Sequence, residues 1–194
     1  IEGTGHVAGM NFGQAGEVQR CVGCHAGHTM IPTPASDEAA RWTNLATGAE
    51  VTVSSTRDAN QNTGLIDRRV LTGNVRRYWS SAANQYQNQW VKLTFPVPVT
   101  VRTVRLYNPR PEAGSVSIAV QQATVRLYSD YAATNQVATA TTGPLAVSGT
   151  DVPFNDVLVR SIRVEINSVT GTFLGSRAAS LAEIEVIARG EAGP

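Results

Sequence analysis

The sequence predicts an all-β fold, an antiparallel β-sandwich, over residues 41–194, behind a short segment of different character, residues 1–40. Three observations carry that prediction. From Glu50 onward apolar residues recur with period two, the spacing of strands that bury one face. Glycine, proline and asparagine lie between the runs, where turns need them. There are some seven such runs, enough for two packed sheets.

Taken in order, Val51 and Val53 alternate with polar neighbours, as do Val91, Leu93 and Phe95, and then Val104 and Leu106. Val116, Ile118 and Val120 share one parity, whereas Ala123, Val125 and Leu127 take the other. The slip at Gln121-Gln122 predicts a turn or bulge, because one extra residue moves every later side chain to the opposite face. Leu158, Ile162, Val164 and Ile166 form a further inward set, with Arg160 on the same parity and therefore expected at a sheet end. Ile184, Val186 and Ala188 close the domain.

The 194 residues leave room for one domain of ordinary size and a small appendage. Sixteen basic residues face fifteen acidic ones, a balance that argues against nucleic acid or anionic lipid, which require a concentrated basic surface. No apolar run approaches the length of a membrane span.

Residues 1–20 are rich in glycine (Gly3, Gly5, Gly9, Gly13, Gly16) and bury little alone. Glu17 to His28 is the expected short helix, stopped by Met30-Ile31-Pro32-Thr33-Pro34. Ser36-Asp37-Glu38 reads as an N-cap with an acidic first turn, opening a turn of helix through Trp42. The boundary is expected between Pro34 and Asn44.

Both cysteines fall in Cys21-Val22-Gly23-Cys24-His25, the attachment signature of c-type haem. The two thiols would bond the vinyl groups, and His25 would lie under the iron as its proximal ligand. A zinc site from Cys21, Cys24, His25 and His28 is disfavoured because His25 abuts Cys24 and no loop separates two ligand pairs. A thioredoxin-like pair would follow a strand in a βαβ unit, and nothing here has that pattern. For the distal ligand the order of preference is Met10, His6, then Met30, since the chain between Met10 and Cys21 can fold back over the ring. His28 shares the helical face of His25 and cannot readily reach the other side; it is expected to bond a propionate or to ligate a second haem. Haem c is attached outside the cytoplasm. A periplasmic or extracellular home follows, and with it an export signal already removed ahead of Ile1.

Several segments of the β domain are similar to known ones. Asn44 to Ser55 resembles the opening strand of a discoidin domain, the coagulation factor V/VIII type C domain, and Leu65-Ile66-Asp67 the loop that follows. Trp79-Ser80-Ser81, Gln89-Trp90-Val91-Lys92-Leu93, Val101 to Tyr107 and Ala182-Glu183-Ile184-Glu185-Val186 continue the family order, over residues 44 to 189. The resemblance implies a galactose-binding-like jelly roll. It implies a calcium ion at Asp67 and Glu183, completed by loop carbonyls, as in many relatives. Where the family commonly has Asp-Gly, this chain has Asp67-Arg68-Arg69, which removes the glycine suited to a positive-φ turn. It also implies a ligand at the loops of one end, where Asn60 to Asn62, Arg76, Arg77, Tyr78 and Tyr86 suit flat polar molecules such as sugars.

The functional expectation is an electron-transfer protein with one covalent haem, docked by its β domain to a redox partner, a polymer or a larger complex. The alternative is a surface or carbohydrate-binding module in which haem is mainly structural. An enzyme is not expected, because no nucleophile–base, metal-hydrolase or P-loop pattern stands out.

Overall fold

The computed structural model describes residues 42–69, 78–112 and 115–190. From Thr43 onward they belong to one compact unit. Its strands are β1 (Thr43–Asn44), β2 (Glu50–Val53), β3 (Trp79–Ser80), β4 (Gln89–Tyr107), β5 (Ala119–Tyr128), β6 (Gln136–Thr141), β7 (Thr150–Thr170), β8 (Ser180–Leu181) and β9 (Glu183–Gly190), with 3-10 turns at Ala46–Gly48 and Ala59–Ile66. Every strand pair is antiparallel. Among the described residues no helix is long and apolar enough to cross a membrane.

Two strands set the architecture. β4 has 19 residues and β7 has 21, against the roughly 5–6 of an ordinary strand. They pair with each other from Gln89↔Ile166 to Leu106↔Thr150, with the register broken between Thr94 and Val99 and again between Val101 and Thr103. The first break holds Pro96 and Pro98, which cannot donate to a ladder. Before it, β4 pairs with β2 and the second half of β7; after it, β4 pairs with β9 and the first half of β7. The ribbon thus serves both layers of an antiparallel sandwich, one with strand order β2-β4-β7-β5-β6 and the other β1-β9-β4-β7.

The inward sets of the two layers form one core. Val91, Leu93, Val125, Leu127, Ile162 and Val164 fill it from one side; Val101, Val104, Leu106, Ile184 and Val186 fill it from the other, and all are fully buried. The break at Arg102 lets Val101 and Val104 both point inward, three residues apart. The expected slip at Gln121-Gln122 is a register shift inside the continuous strand β5.

One inward set needs correction. Leu158 was expected beside Ile162, Val164 and Ile166, yet it is 51% exposed, and Val159 takes the buried place. The reason is the change of parity where the ribbon passes between layers. Arg160 stands at that corner, where its Nε donates to Phe95 O (2.8 Å) and its Nη2 to Pro96 O (2.6 Å), occupying carbonyls at the break in the ladder.

Gly171 ends β7 at φ +73, and a Cβ built there would lie 2.1 Å from the Ser117 carbonyl oxygen. Gly48, by contrast, has open space around its Cβ position. Gly171→Ala should therefore destabilise the fold by about 2 kcal/mol or more, through left-handed strain and backbone overlap, whereas Gly48→Ala should change it by less than about 0.5 kcal/mol. Denaturant titrations of the two variants, side by side with the parent, check this contrast.

Candidate functional site

Two features at the loop-bearing end of the sandwich could hold a ligand. The first is a buried carboxyl. Glu183, the first residue of β9, is fully buried. Its Oε1 accepts the Arg68 N–H at 3.1 Å, and its Oε2 has no hydrogen-bond partner among the described residues. Burial pushes its pKa up to about 8, the charges of Asp67 and Glu185 add to the rise, and the N–H groups of Arg68 and Arg69 oppose it. Asp67 shapes the turn by accepting the Arg69 N–H on Oδ1 at 2.9 Å.

Arg68 occupies the place where a glycine was missed in the sequence, and it adopts the left-handed conformation itself, at φ +62. That conformation costs an L-residue roughly 1–2 kcal/mol. The Arg68 N–H bond to Glu183 and an Nη2 bond to Asn44 O at 2.8 Å act against this cost. The turn is kept without its glycine.

The second feature is a set of loops stitched side to side. Trp79 Nε1 donates to Ser55 O (3.1 Å) and Arg57 N to Ser80 O (2.9 Å), fixing residues 54–58 against β3. Ser81 N donates to Ala179 O, Ala179 N to Ser81 Oγ, and Asn84 N to Arg177 O, joining residues 81–88 to 171–179. On this frame two guanidinium–aromatic pairs stand together. Arg177 lies 3.9 Å from the centre of the Tyr86 ring and donates Nη1 to the Tyr86 hydroxyl at 3.0 Å. Arg57 lies 5.7 Å from the buried Phe173 ring, and its Nε is buried with no hydrogen-bond partner among the described residues. Leu174, also at positive φ, is 45% exposed in the same loop.

Fixed donors beside aromatic and aliphatic faces match a ligand with hydroxyl edges and an apolar face. A cavity of about 190 Å³ lined by Glu112, Ser117 and Thr172 opens beside these loops. It falls below the roughly 300–1,000 Å³ of a closed small-molecule pocket, so this end is a shallow platform.

The structure sorts the residues expected to bind. Tyr86 is on the platform, under Arg177. Tyr78 is buried in the core and offers no surface. Asn62 is half-buried, with an Oδ1 that lacks a partner among the described residues. Arg76 and Arg77 lie outside the described residues, as do Cys21, Cys24, His25, His28, His6, Met10 and Met30 of the expected haem segment. Asp67 lies near enough to Glu183 for its charge to raise the Glu183 pKa. Among the described residues, however, no three His, Cys, Asp or Glu side chains form a group that could hold a metal ion, so backbone carbonyls must complete any such site. Arg57, Phe173 and Arg177 escaped the sequence reading, since loop residues carry no period; the only available signal was arginine and aromatic residues recurring between strands.

A two-layer antiparallel sandwich of this order has a discoidin-like fold. The chain belongs to a family described as Domain of unknown function (DUF7402), matched over residues 44–187. Comparison with curated proteins finds no match. Solved structures share the fold. A Streptococcus pneumoniae fucose binding module is 22% identical, with a TM-score of 0.58 over 75% of this chain and 95% of that one. The lectin binding domain of lectinolysin, in complex with Lewis b, is 23% identical, with a TM-score of 0.57 over 75% and 95%. Chitosan-binding module 1 of a chitosanase/glucanase from Paenibacillus sp. IK-5 is 23% identical, with a TM-score of 0.52 over 74% and 98%. A Clostridium perfringens family 89 glycoside hydrolase matches over only 15% of its own length.

The Glu183 carboxyl makes stability depend on pH with a definite sign. In the unfolded chain it loses its proton above its ordinary value of 4.5; in the fold it keeps the proton to about 8. Its contribution is full below 4.5, declines by up to about 1.4 kcal/mol per pH unit as pH rises, and is lost through about pH 8. In chelator, Glu183→Gln should abolish this decline, so the variant should gain on the parent steadily between pH 5 and 8. Melting curves across that range check it; parallel pH profiles would contradict it.

Proposed function

We propose that residues 44–187 form a carbohydrate-binding module, working as a binder and not as a catalyst, outside the cytoplasm in the periplasm or the extracellular space. The observation that carries this reading is the pair of guanidinium–aromatic contacts, Arg177 on Tyr86 and Arg57 on Phe173, held on hydrogen-bonded loops at one end of the sandwich. Immobilised arginines keep their remaining N–H groups fixed for ring hydroxyls, and Leu174 offers a face for the sugar's C–H groups. That proteins of the same fold are named for fucose, Lewis b and chitosan supports a sugar as the ligand class.

A calcium ion belongs to the same reading. Glu183, buried with an unpartnered oxygen, and Asp67 beside it are the residues that would hold it together with loop carbonyls, oxygen donors being what a hard cation takes. Bound there, the ion would neutralise the two carboxylates and fix the 67–69 turn. Calcium should raise the melting temperature of the parent at pH 7.5 and leave Glu183→Gln unmoved; an equal response in both places the ion elsewhere.

The sequence Cys21-Val22-Gly23-Cys24-His25 favours a second reading of the whole chain. Residues 1–40 would carry one covalent haem c on His25, with Met10, His6 or Met30 opposite, and the β domain would anchor it to a polysaccharide or to a redox partner complex. Haem bound this way supplies one-electron exchange. Protein made in a host with cytochrome maturation should show a c-type pyridine haemochrome that disappears in the Cys21→Ala, Cys24→Ala variant; a colourless parent would end this reading.

For the sugar site, titration calorimetry against fucosylated, galactosylated and chitosan oligosaccharides should find a binder. Tyr86→Ala and Arg177→Ala should each weaken it about tenfold, or about 1.4 kcal/mol, with melting temperatures near that of the parent. Affinities equal to the parent in both variants would move the site off this platform.

A further inference from the structure

The outer face of the β2-β4-β7-β5-β6 layer carries a charge arrangement that folding alone disfavours. Lys92 on β4 sits directly opposite Arg163 on β7, and Arg163 directly opposite Arg126 on β5. Three cations thus form one row across adjacent strands, spanning about 10 Å, where like charges destabilise a sheet. Lys92 is the only lysine of the chain and has no ion-pair partner among the described residues. One carboxylate, Glu165, serves the other two, accepting from Arg126 Nε at 2.9 Å and lying 3.3 Å from Arg163 Nε. The other layer is arranged differently. There Arg102 faces Asp156, and Arg105 faces both Asp151 and Glu185. The row on the first layer is left with an excess of positive charge.

Beside the row lies a cleft of about 390 Å³, within the range of sites that seat small ligands. Its lining includes Trp90, Glu165, Asn167, Gln87 and Asn88, with Arg163 forming the wall shared with the cation row. Arg163 lies over the Trp90 ring, 4.7 Å from its centre, a cation–π contact that restrains the guanidinium beside the cleft. A restrained guanidinium suits a carboxylate or sulfate, and the neighbouring amides suit hydroxyl groups.

We propose that this outer face binds an acidic polysaccharide, its carboxylate or sulfate groups on the Lys92–Arg163–Arg126 row and its hydroxyls in the cleft beside Trp90. The site goes beyond the loop platform and shares with it the ligand class and the loop residues Gln87 and Asn88. A short row on a chain of net charge +1 suits a polymer with anionic groups spaced along it, and the amide-rich cleft adds recognition that a phosphate backbone does not use. Nucleic acid is the competing occupant.

Affinity electrophoresis of the full chain, through gels containing polygalacturonate, dextran sulfate, neutral galactan or single-stranded DNA, tests the proposal. Polygalacturonate or dextran sulfate should retard the protein, whichever does so identifying the anionic group, and galactan should not retard it through this face. Raising salt from 50 to 300 mM should weaken the retardation. Lys92→Gln with Arg163→Gln should weaken it at least tenfold while far-UV dichroism and melting stay close to the parent. Arg102→Gln, which removes a positive charge from the other layer as single Lys92→Gln does from this one, should leave it unchanged. Single Lys92→Gln, at a half-buried surface position, gives the smaller effect if the double variant is unstable. Retardation by DNA as strong as by both acidic polymers, no retardation by either acidic polymer, or an equal loss in Arg102→Gln would each overturn it. Loss of neutral-sugar binding in Tyr86→Ala is read separately, so failure of either site does not mask the other.

Discussion

The pairing of β4 with β7 is the constraint on which the rest of the molecule depends. One antiparallel ribbon from Gln89↔Ile166 to Leu106↔Thr150 is too long to lie in a single layer, so it turns at Pro96-Val97-Pro98 and contributes to both. The turn costs ladder bonds, and Arg160 offsets part of that cost by donating to the Phe95 and Pro96 carbonyls. Because the ribbon is shared, the core is one cluster; β1, β2, β5, β6 and β9 extend the sheet outward from it, and β3 and β8 pair in a small sheet of their own.

The proposed binding surface lies where the ribbon stops. Beyond the ends of β4 and β7 lie residues 81–88 and 171–179, and bonds such as Ser81 N to Ala179 O and Asn84 N to Arg177 O hold the two loops together. The proposed recognition surface therefore sits on a hydrogen-bonded frame, with little loop ordering left to offset if a ligand binds there. Of the left-handed non-glycine residues among the described ones, Arg68, Asn84, Asn88 and Leu174 lie in these loops and at the Glu183 turn, and Ala133 and Asp156 lie elsewhere. Strain of that kind persists only where the surroundings hold it, and here they do.

Much of the fold was legible in the sequence, because alternation reports directly on burial. Val91, Leu93 and Phe95, then Val116, Ile118 and Val120, and then Ile184, Val186 and Ala188 are all buried as the pattern implies. It failed at Leu158, where the ribbon changes layer and parity resets, an event no local period can announce. The same corner explains Arg160, a charge on an apolar parity that turns out to bind backbone. At the candidate site, Asp67 and Glu183 were singled out by resemblance and Tyr86 by composition. Arg57, Phe173 and Arg177 were not, since they meet only through contacts between loops distant in sequence. The cation row on the outer face was equally hidden: Lys92, Arg163 and Arg126 become neighbours only once strand register is known.

The central claim is that the loop end of this sandwich is where sugar is recognised. Amide chemical-shift mapping of the isotope-labelled protein, titrated with the tightest-binding neutral oligosaccharide, tests it most directly. The claim requires the largest shifts at residues 84–88 and 171–178, with Arg57 among them. Shifts confined to β6 or to the β4–β7 corner near Arg160, with the loop amides still, would contradict it.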